Sequence, residues 1–201
     1  MSASTTTSVT TSTLPPAPSS TSVSTKSGVV TVKGHGQRTV RIPASVPFPV
    51  IVHAHHDGTG SFIVNGLDSF GRRTGVLASS LGAYDGTFAV GFVEGAENPT
   101  KSLRIITNGS WQIDIGRAEV APPVGRGVQG VGDTVLSYRG PGATVHLMYR
   151  GRARLIVSVY ESGGLIPLVN TNGPFDGRVS LIAGPAFITV TTTGKWSMII
   201  E

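Results

Sequence analysis

The sequence predicts an all-β protein built from two tandem antiparallel β-sandwich modules, jelly-roll-like in plan, behind an extended N-terminal arm. Three observations carry this. Glycine (27) and proline (13) are abundant, only 13% of residues are charged, and valine, isoleucine and threonine recur in short runs, as in strands punctuated by tight turns. No window sustains the i, i+3, i+4, i+7 apolar pattern of an ordinary helix. Third, the chain repeats itself: Val52-His53-Ala54-His55-His56-Asp57-Gly58 returns as Val145-His146-Leu147-Met148-Tyr149-Arg150-Gly151 without any insertion. Gly82-Ala83-Tyr84-Asp85-Gly86 returns as Gly173-Pro174-Phe175-Asp176-Gly177, and Gly109-Ser110-Trp111 as Gly194-Lys195-Trp196. Landmarks recurring in one order mark an internal duplication. The register slips only near Arg72-Arg73 and near Glu97-Asn98-Pro99, in turn-rich sequence where insertions cost little.

Residues 1–27 form the expected arm. They are rich in Ser, Thr and Pro, with Pro15-Pro16-Ala17-Pro18 at the centre, and hold too few large apolar side chains to offset the entropy of ordering. Met1 to Thr7 has neither the basic start nor the apolar stretch of a signal peptide, so conventional secretion is not expected, and no apolar run reaches membrane-spanning length.

The first module, 28–120, reads as about eight short strands. These are Val29–Val32, Thr39–Ile42, Val50–His55 after a break at Pro43, Pro47 and Pro49, Ser61–Leu67, Val76–Leu77, Gly86–Val93, Ser102–Thr107 and Trp111–Ile115. Residues 121–127, opening with Ala121-Pro122-Pro123, read as a linker into the second module, which spans 121–201. Its strands are Thr134–Tyr138, Ala143–Tyr149, Ala153–Tyr160, Ile166–Val169, Arg178–Ala183, Ala186–Thr191 and Trp196–Ile200. Each module is close to the smallest size that buries an independent core, so the two are expected to lean on each other or on a partner.

The duplicated landmarks have structural readings first. Aromatic-Asp-Gly suits a tight turn, since Asp bonds its own backbone and Gly accepts positive φ. Gly-x-Trp suits a hairpin followed by a core aromatic, so Trp111 and Trp196 are assigned to the cores.

No cysteine is present, which removes disulfides and thiolate metal sites. No metal or cofactor is expected. His53, His55 and Asp57 are the only candidate ligand cluster; on a strand His53 and His55 share a face and His56 points away, whereas zinc needs three or four convergent ligands. Asp57, Asp68 and Asp85 could be combined with these histidines into a triad on paper, but no Gly-x-Ser-x-Gly elbow, phosphate loop or dinucleotide fingerprint is present, and the chain reads as a non-enzyme.

The net charge of +5 and pI near 10 come from scattered arginines. The one local cluster, Arg150, Arg152 and Arg154, falls on one side if its segment is a strand, and it lacks the interleaved aromatics of a nucleic-acid platform. Neither specific nucleic-acid binding nor membrane association is expected.

With Gly-x-aromatic-Asp-Gly leading to Gly-x-Trp in two copies, residues 28–201 resemble small β-sandwich repeats of actinobacterial proteins and their phages. With the Ser/Thr/Pro arm, the chain is similar in plan to a phage capsid decoration, or cement, protein. The resemblance implies a non-enzymatic component of the virion at the capsid surface, whose partners are the major capsid protein or other virion proteins, with self-association. Thr13, Leu14, Pro15, Pro16 and Pro18 are then the expected stapling residues, with the Pro43–Pro49 loop and the Arg150, Arg152, Arg154 face as secondary contacts. Two alternatives stand beside it. One is a carbohydrate-binding or adhesion module using Tyr84, Tyr138 or Tyr149; the other is a tail or spike component.

Overall fold

The computed structural model describes residues 21–92, 99–161 and 164–201. Seventeen strands and one 3₁₀ turn make up its regular structure, and among the described residues there is no α-helix. All strand pairings between these elements are antiparallel.

In the first module β1 (Ser22–Lys26), β2 (Val29–His35), β9 (Ser110–Arg117), β4 (Val50–His56) and β7 (Tyr84–Val90) form one sheet in that spatial order. β3 (Arg38–Arg41), β8 (Ser102–Ile106), β5 (Ser61–Leu67) and β6 (Arg73–Leu81) form the facing sheet. In the second module β10 (Gly127–Val131), β17 (Lys195–Ile200), β12 (Ala143–Tyr149) and β15 (Phe175–Leu181) make one sheet. β11 (Thr134–Tyr138), β16 (Ala186–Thr191), β13 (Arg154–Glu161) and β14 (Gly164–Asn172) make the other. Setting β1 aside, the strand orders are identical. If each module's eight strands are counted in sequence, both read 1-8-3-6 facing 2-7-4-5, the double Greek key of a jelly roll.

The duplication extends to irregularities. The β5–β6 ladder slips between Val64 and Asn65, and the β13–β14 ladder slips between Val157 and Ser158, so the bulge sits at matched positions, each followed by a buried polar residue. In both modules a tryptophan from the last strand lies over a glycine of the first: a Cβ at Gly34 would enter the Trp111 ring, and one at Gly130 the Trp196 ring. Trp111 Nε1 donates to the Gly36 carbonyl at 2.8 Å and Trp196 Nε1 to that of Gly132 at 3.0 Å. Both tryptophans are core residues at 3% exposure, as their alternating strands predict.

Each sandwich encloses its own core, one centred on Val52, Phe62, Leu103 and Ile113, the other on Leu147, Leu155, Val159 and Ile188. A third apolar cluster joins them: Ile51, Ala89 and Phe92 of the first module meet Ala121, Val135 and Phe187. Phe92 stacks on Tyr160 at 4.5 Å between ring centroids and lies against Phe187 at 5.0 Å.

Three boundary readings need correction. Residues 22–26, counted with the arm, form β1 on the outer edge of β2, because Ser27 (φ 50°) and Gly28 (φ 77°) supply the two left-handed positions of a two-residue hairpin turn. Residues 121–127 are not a free linker: Ala121 is buried in the inter-module cluster, the backbone of Pro122 and Val124 bonds that of Ser137, and Gly127 already opens β10. Aromatic-Asp-Gly is not the turn itself. The turn is Gly82-Ala83, and Tyr84, Asp85 and Gly86 are the first residues of β7, where the missing side chain of Gly86 leaves room for the Tyr84 ring.

Candidate functional site

β4 carries His53, His55 and His56, and strand alternation decides their fates. His56 points inward and is fully buried, stacked on Phe62 at 5.0 Å, with Nε2 2.8 Å from Thr107 Oγ1. Its counterpart in the second module is the buried Tyr149, so this position is structural in both.

His53 and His55 face outward and converge on Asp85 of the neighbouring β7. His53 Nε2 donates to Asp85 Oδ1 at 2.8 Å, and His55 Nδ1 lies 3.2 Å from Asp85 Oδ2. On its other side His53 Nδ1 is 3.5 Å from Asp114 Oδ2, and Asp114 also accepts from Thr31 Oγ1 at 2.6 Å and from Gln112 Nε2. A polar row thus crosses β2, β9, β4 and β7 on the outer face. Burial pushes both carboxyls up, but hydrogen bonds outweigh it and hold them below the usual range: His53 and His55 for Asp85; Thr31, Gln112 and His53 for Asp114. The duplication preserves part of this row, since His146 Nε2 lies 2.6 Å from Asp176 Oδ1. Sequence spacing hinted at it, because the His and Asp recur in both copies.

Asp57, the third candidate ligand, sits past the end of β4 in a shallow cleft with Ser22, His35 and His55. The two outward histidines contact Asp85, and His53 also Asp114; among the described residues no group of three or more His, Asp or Glu side chains is arranged to hold a metal ion. The paper triad also separates. Asp68 is buried in its own loop and accepts from the backbone N–H groups of Phe70 and Arg72 and from Arg72 Nε. Burial raises that carboxyl, and these bonds pull it below the ordinary value.

Between the modules lies a groove of about 730 Å³ that sequence reading did not anticipate. Its walls are β6 and the start of β7 on one side, and Val131 to Asp133, Ala153, Arg154, Ile156 and Thr191 to Thr193 on the other. At its base the modules are bonded together. Tyr84 Oη donates to Asp133 Oδ2 at 2.8 Å and Thr87 N to the Asp133 carbonyl at 2.9 Å, while within the second module Thr192 N donates to Asp133 Oδ1 at 2.8 Å. Burial pushes the Asp133 carboxyl up, against the pull of its two hydrogen bonds. Burial and the Asp133 charge together push the Tyr84 hydroxyl far up. Asp133 ties the modules together at this end of the seam, and its partner Tyr84 is 49 positions away, which no local pattern reveals.

The arginine cluster does not form a strand face. Arg150 and Arg152 lie in the β12–β13 loop and are exposed, because Gly151 is needed there: a Cβ would meet the Tyr149 ring. Arg154 opens β13, lines the groove and donates Nε to Asn170 Oδ1 at 3.0 Å. In the Pro43–Pro49 loop Val46 is core, while Phe48 is partly exposed under the Lys101 ammonium at 5.1 Å. Thr13, Leu14, Pro15, Pro16 and Pro18 lie outside the described residues. The aromatics named for a sugar platform are unavailable to one: Tyr84, Tyr138 and Tyr149 are all buried, with their hydroxyls bonded to Asp133, Pro141 and Ala153.

No family model matches the chain, and no curated protein matches it. Among solved structures it is similar to a cupin 2 conserved barrel domain protein from Leptotrichia buccalis, with 9% identity and a TM-score of 0.28 over 94% of this chain and 92% of that one. It is also similar to an oxalate decarboxylase examined for an element that modulates proton-coupled electron transfer, with 9% identity and a TM-score of 0.25 over 87% and 69%. Scores this low carry no argument about ligand or chemistry, and the fold described above rests on the strand order. Among the described residues no helix is long and apolar enough to cross a membrane.

Proposed function

We propose that this chain is a non-enzymatic structural protein of a virion, a capsid decoration protein whose N-terminal arm staples neighbouring subunits, with the major capsid protein as partner. The observation that carries the reading is the root of the arm. All five residues of β1 are exposed, yet its backbone is zipped to the edge of β2, so the polar segment before it starts from a fixed point on a rigid body. Two jelly rolls locked by the Asp133 seam and the Phe92 stack present such a body. An arm tied to it makes the second contact intramolecular, which raises avidity without one large interface. The burial of Tyr84, Tyr138 and Tyr149 weighs against the glycan-binding alternative.

The test is limited proteolysis with mass spectrometry on the free full-length protein and on purified particles that carry it. The reading expects cuts within residues 1–20 in free protein and protection on the particle. Equal cutting in both would overturn stapling.

A further inference from the structure

Among the described residues the two modules differ by one strand. The first sheet of module 1 runs β1-β2-β9-β4-β7, and its counterpart runs β10-β17-β12-β15. β10 is the counterpart of β2, since Gly130 and Gly132 stand to Trp196 as Gly34 and Gly36 stand to Trp111. β2 has its outer edge covered by β1, whereas among the described residues no strand pairs with the outer edge of β10.

An open edge is normally guarded by charge, proline or cover. The other edges follow that rule. β1 carries Lys26, β3 carries Arg38 and Arg41, β6 carries Arg73, β14 carries Pro167, β15 carries Asp176 and Arg178, β11 is covered by Pro122 to Val124, and β7 is bonded to Asp133. β10 reads Gly-Val-Gln-Gly-Val, with no charge and no proline. Among the described edge strands it alone has neither charge, proline nor cover.

The chain also holds a second version of the strand that would pair with it. Thr7-Ser8-Val9-Thr10-Thr11 matches Thr21-Ser22-Val23-Ser24-Thr25 at every position except the Thr-for-Ser exchange at the fourth. We propose that the outer edge of β10 is the docking site for the Thr7–Ser12 segment of a second copy of this chain, which adds to module 2 the strand that β1 adds to module 1. This rests on the stapling reading and names a place where the arm goes.

The register follows from β1. Val23 lies opposite Val32 and Ser22 opposite Lys33, so Val9 falls opposite Val128 and Ser8 opposite Gln129. The same register argues for a second copy. Antiparallel pairing puts Ser12 toward the Gly127 end, while Val131 at the other end lines the groove. Ser22 sits beside His55, which also lines that groove. Within one chain residues 13–21 would therefore have to double back along the sheet. Pro15, Pro16 and Pro18 in that span favour extended polyproline geometry instead, which carries the arm outward. Backbone pairing to an open sheet edge is an established mode of segment recognition.

The absence of cysteine makes the test clean. Full-length Ser8→Cys and Gln129→Cys chains, differing in mass through a tag, are mixed and mildly oxidised. The proposal expects a covalent heterodimer, at least ~10-fold weaker when Ser12→Cys replaces Ser8→Cys or when Val9→Pro and Thr10→Pro are added, because one of two successive backbone N–H groups must face the edge. Gln129 is exposed, so its substitution leaves the fold intact. Heterodimer yield no higher than with the Ser12→Cys control overturns the docking site. In a chain carrying both Ser8→Cys and Gln129→Cys, a cross-link formed only within single chains overturns the second-copy occupant. Repeating both assays on particles separates the readings: an arm protected from protease but not cross-linked keeps stapling and discards this site, and an arm cut as fast as in solution discards stapling itself.

Discussion

Replacing Tyr84 by Phe removes one hydroxyl from the seam between the modules and nothing else. That hydroxyl is buried and donates at 2.8 Å to Asp133 Oδ2, while Asp133 Oδ1 keeps its bond from Thr192 N. The loss strands one carboxylate oxygen in a site where burial already disfavours charge. A hydrogen bond to a charged group contributes about 1.5–3 kcal/mol, and that is the expected cost at neutral pH. Asp133→Ala should cost at least as much, since it frees both Tyr84 and the Thr192 N–H. Asp133→Asn should cost least. Its carboxamide still accepts one bond, and it removes the burial penalty: with the folded pKa raised, the favourable contribution of the protonated acid is fully present below the ordinary Asp value and is lost as pH rises through the folded value. Urea unfolding followed by tryptophan fluorescence, one tryptophan per module, gives these values, and a double-mutant cycle gives the coupling of Tyr84 and Asp133. A Tyr84→Phe change below about 0.5 kcal/mol with no coupling to Asp133 would refute the account of the seam.

Phe92→Ala removes the stack on Tyr160 and Phe187 and should cost about 2–4 kcal/mol, with the two tryptophans then reporting separate transitions. Gly130→Ala drives a Cβ into the Trp196 ring and should lower stability by about 1–3 kcal/mol in thermal melts, whereas Gly71→Ala, with open space but left-handed φ, should cost less. Asp85 and Asp114 have folded pKa values below the ordinary one, so what they contribute is present above about pH 4 and lost as pH falls through their lower folded values. Carboxyl-detected NMR titration should show His53→Ala moving both midpoints upward, and unchanged midpoints would dismiss the polar row as a source of the shift.

Repetition and alternation were legible in the sequence because both are one-dimensional. The period-two pattern located most strands, the repeated landmarks paired the halves, and the same alternation assigned Trp111 and Trp196 to cores and turned His56 away from His53 and His55. Two strands escaped. β1 buries no residue and β10 is glycine-rich, so neither has the apolar alternation that signals a strand; both are held by backbone bonds to a neighbour. Arg150, Arg152 and Arg154 looked like a face because alternation was extended through Gly151, where the chain turns instead. Asp85 was read locally as a turn residue, although its carboxylate serves a strand 30 positions earlier.

Composition and the duplicated pattern by themselves determined an all-β chain of two like halves, since burying short alternating strands leaves few other architectures. Tertiary structure alone decided the jelly-roll order, the Tyr84–Asp133 seam with its groove, and the extra strand β1 by which the described halves differ. Each of these depends on which backbone edges and side chains meet across long sequence separations, and that is settled by packing in three dimensions.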